Sequence, residues 1–149
     1  MTTSMSHADT VQDIVRIAND GADFYRDAIE KTSNPELRNV FGRMLGHKQS
    51  IANALRGKLR SEHAAAPTDG TLAGSLRQTY TDLRARFSSN EDKIFVGQLE
   101  ETEDRLLKEF EMALDEVTDP SVKSLLQMHA PQVRACHDEM RRLKQTFNA

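Results

Sequence analysis

Apolar residues recur along the chain at three- and four-residue spacing in four long stretches. This spacing is typical of α-helices that bury one face, and each stretch carries polar residues on its other positions. The sequence therefore predicts four long amphipathic helices, whose apolar stripes run through Val11–Ile29, Leu37–Leu55, Val96–Leu114 and Val122–Phe147.

Two tight turns divide the four stripes into two pairs. Asn34-Pro35 and Asp119-Pro120 each place a side chain that can cap a helix directly before a proline, which needs no N–H group at the first helical position. Both turns lie in copies of one pattern, residues 28–41 and 113–126, at an offset of 85 residues. The sequence therefore predicts an internal duplication of a helical hairpin, with antiparallel neighbours in each copy.

A different segment lies between the two hairpins. Residues 63–70 have the composition of a loop, and a fifth, shorter stripe predicts a crossover helix at about 71–87. A long connection of this kind carries the chain between the hairpins of a ferritin-like bundle. We expect an all-α protein: a ferritin-like antiparallel four-helix bundle made of two helical hairpins, with an additional short crossover helix.

The same patterns set the expected domain boundaries. We expect a disordered leader over residues 1–7 and a single domain over 8–147, with the first hairpin at about 8–62 and the second at about 90–147. Two separate hairpins in an extended protein are disfavoured, because neither could bury its apolar face alone.

Composition narrows the choice of partners. A net charge of −3 argues against nucleic-acid binding, and no apolar run approaches the length of a membrane span. The single cysteine, Cys136, excludes an intrachain disulfide and fits a reducing compartment, so we expect a cytoplasmic protein.

The crossover stripe adds apolar area beyond the needs of four helices, which predicts a homodimer or higher homo-oligomer. Its residues are Leu72, Leu76, Tyr80, Leu83 and Phe87.

Several short motifs, in this order and spacing, resemble a mostly proteobacterial family of unknown function whose members are ferritin-like four-helix-bundle proteins. The resemblance runs from about Val11 to Leu143. It implies a fold and an ancestry, and it implies no activity. The motifs are Asp20-Gly21, Asn34-Pro35-Glu36-Leu37, Leu72-Ala73-Gly74-Ser75-Leu76, Glu103-Asp104 and Ala135-Cys136-His137-Asp138.

The metal-ligand pattern of dinuclear ferritin-like proteins is missing from the chain. Such proteins place a Glu on each of two helices and a Glu-x-x-His motif on each of the other two. None of the five histidines has an acidic residue three or four positions before it. We therefore expect no metal and no cofactor.

Charged residues nevertheless fall on the stripes near the expected metal position. Glu103 lies on the third stripe, and Lys48 lies on the second between Leu45 and Ile51. We predict a buried ion pair between Lys48 and Glu103, because an unpaired carboxylate in an apolar stripe is costly. In the alternative interpretation, Glu103 leans to the bundle edge and Lys48 extends to water.

A second alternative is a degenerate or mononuclear metal site. Glu103 with His129 and His137 could bind iron, manganese or zinc, since both histidines lie on or beside the fourth stripe. Cys136 and His137 point about 100° apart on a helix, which disfavours a catalytic Cys–His pair and favours a buried thiol.

Two features of the first helix admit simple interpretations. Asp13, Asp20 and Asp27 repeat every seven residues, and we expect them on a solvated face with nearby arginines. The small residues Ala18 and Gly21 permit either close helix packing or a ligand cavity.

No nucleophile constellation or phosphate-binding loop occurs in the sequence, so catalysis is disfavoured. The leading hypothesis is a non-enzymatic, metal-free scaffold or binding module. The alternative hypothesis is a metal-binding ferritin-like protein.

Overall fold

A computed structural model describes residues 3–62, 64–66 and 91–148 of the protein. These residues form four α-helices and contain no strand: α1 (Thr3–Lys31), α2 (Pro35–Ser61), α3 (Glu91–Glu116) and α4 (Pro120–Asn148). The prediction of an all-α helical bundle is confirmed for this part of the chain. The predicted crossover helix at about 71–87 lies outside the described residues.

The turn between α1 and α2 and the turn between α3 and α4 have the same hydrogen-bonding pattern. Asn34 Oδ1 accepts from the backbone N–H groups of Glu36 and Leu37 at 2.9 and 3.2 Å. Asp119 Oδ1 accepts from those of Ser121 and Val122, also at 2.9 and 3.2 Å. Each cap satisfies two N–H donors that lack a partner within the helix.

The helices pack so that α1 contacts α2 and α3, while α4 contacts α3 and α2. At one end, Thr32 Oγ1 after α1 donates to Asp92 Oδ1 near the start of α3 at 2.7 Å. At the other end, Lys58 near the end of α2 donates to Ser121 at the start of α4 at 2.8 Å. The end of α2 and the start of α3 therefore lie at opposite ends of the bundle.

The core consists of two apolar clusters, one above the other along the bundle axis. All four helices contribute to both clusters. One cluster includes Val11 and Leu55 with Phe110 and Val122. The other includes Phe24, Phe41, Phe95 and Met140. The buried Lys48 of α2 and Glu103 of α3 lie between the residues that these helices contribute to the two clusters.

The helix α1 starts at Thr3, before Val11, the first residue of its apolar stripe. The residues between these two contain no proline or glycine to end a helix, so α1 can extend beyond its apolar stripe. None of the four helices contains a stretch long and apolar enough to cross a membrane.

Candidate functional site: a buried polar layer

Each of the four helices contributes a buried polar or ionisable side chain to a group around Lys48 and Glu103. We call this set the polar layer: Tyr25 on α1, Lys48 on α2, Glu103 on α3 and Cys136 on α4. All four side chains are at most 1% exposed. The charges of this layer therefore interact with one another far more strongly than charges at the surface do.

The two ionic members of the layer form a buried salt bridge. Lys48 Nζ lies 2.9 Å from Glu103 Oε1. The two atoms are not aligned for a hydrogen bond, so the attraction between them is chiefly that of opposite charges. The Lys48 stem passes close to Gly21 of α1, where an added Cβ atom would lie 3.6 Å from Lys48 Cγ and Cδ, an ordinary contact distance. The lysine is thus packed inside the bundle along its length.

The second oxygen of Glu103 is held by a tyrosine. Tyr25 donates its hydroxyl hydrogen to Glu103 Oε2 at 2.5 Å. Burial, and after it the negative charge of Glu103, raise the pKa of Tyr25 well above its ordinary value. Tyr25 is therefore a neutral donor throughout the physiological range, and both oxygens of Glu103 have a partner.

Cys136 completes the layer from α4. Gln132 Nε2 lies 3.8 Å from its sulfur atom. Burial raises the pKa of the Cys136 thiol, and the positive charge of Lys48 partly opposes this shift. A buried, protonated thiol of this kind has little nucleophilic character.

The histidines considered as metal ligands do not join Glu103 in a cluster. His137 is 6% exposed, and its ring nitrogens lie near Asp104 Oδ1 at 3.4 Å and Asp138 Oδ1 at 3.0 Å. His129 is half-buried on α4. Over residues 8–62, 64–66 and 92–147, no three His, Cys, Asp or Glu side chains are grouped so as to hold a metal ion.

One interpretation of the first helix requires correction. Asp13 pairs with Arg16 at 3.4 Å and Asp27 is half-buried, whereas Asp20 is fully buried and does not lie on a solvated face. The reason is that α1 buries more than one narrow stripe, since Val15 and Ile17 are also fully buried. A seven-residue repeat identifies one helix face, and it does not show how widely that face is covered.

Sequence reasoning also missed Tyr25 as the partner of Glu103. Tyr25 lies on the first apolar stripe, where its ring suggested only a core residue. The available signal was its hydroxyl group, because a buried tyrosine usually finds a hydrogen-bond partner.

Comparison with known proteins assigns the chain to a family. A family model described as a domain of unknown function (DUF2383) matches residues 6–116. The chain belongs to this family. The searches of the curated proteins and of the solved structures found no match to this chain.

The DUF2383 match covers three of the four members of the polar layer. Tyr25, Lys48 and Glu103 lie within it, whereas Cys136 lies in α4, beyond the end of the match. Glu103 and the two side chains that pair with its carboxylate are thus all contained in the DUF2383 region.

Proposed function

We propose that this protein is a metal-free ferritin-like bundle that acts as a scaffold or binding module and has no catalytic activity. In this proposal the ammonium group of Lys48 takes the place that a metal ion has in dinuclear ferritin-like proteins. The path of the chain supports the ferritin-like part, because α2 ends and α3 begins at opposite ends of the bundle. A bundle with a long crossover connection has this arrangement.

The observation that carries the proposal is the environment of the Glu103 carboxylate. One oxygen lies 2.9 Å from Lys48 Nζ, and the other accepts from Tyr25. A divalent cation bound to Glu103 would lie beside the lysine ammonium. Two like unit charges 4 Å apart repel by about 4 kcal/mol at an effective dielectric constant of about 20, and a divalent ion doubles this cost.

Elemental analysis of protein purified without a chelating tag tests the metal-free part of the proposal. We expect no stoichiometric iron, manganese or zinc. Titration of the apo protein with each of these ions should likewise show no saturable binding that depends on Glu103. Stoichiometric metal that disappears in Glu103→Gln would contradict the proposal and support the degenerate site with His129 and His137.

A second variant makes the role of the lysine testable on its own. Lys48→Met removes the positive charge and keeps an unbranched apolar side chain one heavy atom shorter, so Glu103 becomes free to bind a cation. We expect this variant to bind divalent ions more tightly than the wild type. The double variant Lys48→Met/Glu103→Gln should lose that gain. An unchanged affinity in Lys48→Met would show that Lys48 does not exclude metal.

Self-association is the remaining part of the proposal. The apolar stripe that motivates it, from Leu72 to Phe87, lies outside the described residues, so the sequence pattern alone supports it. We expect sedimentation to give a homodimer or a higher homo-oligomer. A monomer at every concentration measured would contradict this part and leave the metal-free bundle untouched.

A further inference from the structure

The outer face of the α1–α2 pair carries a polar groove with a volume of about 350 Å³. This volume falls within the range of roughly 300–1,000 Å³ that is usual for small-molecule sites. Two small, buried residues contribute to the groove, Ala22 on α1 at 5% exposure and Ala52 on α2 at 1%. Because neither has a side chain beyond Cβ, the surface is concave between the two helices.

Arg56 lines this groove and is held in place by neutral partners. Its Nη1 donates to Asn19 Oδ1 at 3.0 Å, and its Nη2 donates to Asn53 Oδ1. Both asparagines also line the groove. Two amide groups on different helices thus fix the guanidinium group without neutralising its charge.

The charge of the groove is positive. Arg26, the second arginine of the lining, pairs with Asp23 at 2.9 Å. Arg56 has no carboxylate partner among the described residues. One positive charge is therefore left over in a preformed concavity, beside the amide groups of Gln49 and Asn53.

We propose that this groove binds a small organic anion through Arg56, with a carboxylate or a phosphate group of the ligand on the guanidinium. The planar guanidinium group offers paired N–H donors that match both kinds of group. Since Asn19 and Asn53 already order the arginine, little side-chain freedom is lost when the anion binds. The groove lies on the outer face of the α1–α2 pair, so this proposal does not depend on the metal-free polar layer.

Isothermal titration calorimetry of the full chain in a low-salt buffer tests the proposal. Citrate serves as the carboxylate probe and inorganic phosphate as the phosphate probe, in separate titrations. Saturable binding near one site per chain is expected for at least one of them, and the preferred probe identifies the source of the anionic group. The absence of saturable binding for both probes would overturn the proposal.

Three variants show whether the binding belongs to this groove. Arg56→Gln should weaken the binding by about tenfold or more, as expected for the loss of a charged hydrogen-bonding partner. Arg60→Gln makes the same charge change at an exposed position of α2 outside the groove, and it should retain wild-type affinity. Equal losses in the two variants would overturn the proposal.

Gln49→Glu provides a second test of binding in the groove if Arg56→Gln alters the fold. Gln49 is exposed, so a carboxylate at this position disturbs no buried contact while it adds a negative charge to the groove. Binding should again weaken, with the helical circular dichroism and the thermal midpoint unchanged. Retained affinity in this variant would count against the groove as the site.

Discussion

At the scale of single residues, the loss of the Lys48 charge should be strongly destabilising. Lys48→Met keeps most of the volume of the side chain but leaves the Glu103 carboxylate buried without its cation. Removal of one partner of a buried pair typically costs about 3–5 kcal/mol. We expect a loss of that order in the free energy of unfolding, measured by urea denaturation at neutral pH.

Two controls separate this effect from a general loss of charge. Lys108→Met breaks a pair with Asp104 that is equally short, at 2.9 Å, but Lys108 is 69% exposed, so its loss should be much smaller. The double variant Lys48→Met/Glu103→Leu should recover most of the stability, because neither charge of the buried pair remains. If Lys48→Met were as mild as Lys108→Met, Lys48 and Glu103 would not form a buried pair in solution.

His47, the neighbour of Lys48, should make stability depend on pH. Burial and then the positive charges of Lys48 and Arg43 lower its pKa below the ordinary 6.5, while Glu103 and Glu139 oppose the shift. The unfolded chain therefore binds a proton more readily than the folded chain does. The contribution of His47 is present above pH 6.5 and is lost as the pH falls through the lower, folded-state pKa.

Urea denaturation at a series of pH values between 7 and 5 measures this contribution. The free energy of unfolding of the wild type should decline toward pH 5, and His47→Gln should decline less steeply. Identical slopes for the two proteins would mean that His47 titrates with the same pKa in the folded and unfolded states.

At the scale of elements, the two turns should make contributions of similar size to stability, with Asp119 Oδ1 also accepting from Ser121 Oγ at 2.7 Å. Asn34 and Asp119 accept the same pair of backbone hydrogen bonds at the same distances. Asn34→Ala and Asp119→Ala should each cost about 1 kcal/mol, the usual value of such a cap. Urea denaturation of the two single variants and of the double variant measures the costs, which should add because the turns are far apart.

Exposed turn residues that make no cap provide the matched controls. Ser33 and Thr118 precede the two capping residues, and Ser33→Ala and Thr118→Ala should change stability little. If the control variants cost as much as the cap variants, the loss would come from turn flexibility and not from the capping bonds.

The sequence predicted these elements well because their signals are local. A capping side chain and a proline fix where α2 and α4 begin, at Pro35 and Pro120, whatever the rest of the chain does. The start of α1 has no such signal, because an apolar stripe indicates contact with the core and not the extent of the helix. Burial of Asp20 was missed for a related reason, since burial depends on how many neighbours surround α1.

At the scale of the whole molecule, the candidate site was only partly predictable. The placement of Lys48 and Glu103 on facing stripes follows from helical periodicity, so their proximity could be predicted. The third partner, Tyr25, could not be predicted, because its contact with Glu103 depends on the relative height of α1 and α3 along the bundle axis. The groove beside Arg56 likewise depends on how α1 and α2 face each other.

The polar layer is suited to fix the relative heights of the helices along the bundle axis. Apolar side chains above and below the layer can pack in more than one helix register at similar cost, whereas a buried charge is stable only beside its partner. Tyr25, Lys48 and Glu103 come from three helices and meet at one carboxylate. A shift of one turn in any of these helices would separate a buried polar group from its partner, so the layer should penalise every alternative register.

A variant with a fully apolar layer therefore tests whether the polar layer fixes the helix register without raising the stability of the bundle. We expect Tyr25→Phe/Lys48→Met/Glu103→Leu to unfold at a temperature equal to or above that of the wild type, because the layer then contains no charge that needs a partner. The same variant should lose amide hydrogen-exchange protection around the layer, since its helices can slide between registers. Lys48→Met alone should instead lower the unfolding temperature. If the triple variant kept wild-type exchange protection, packing of the two apolar clusters would be enough to set the register of the bundle.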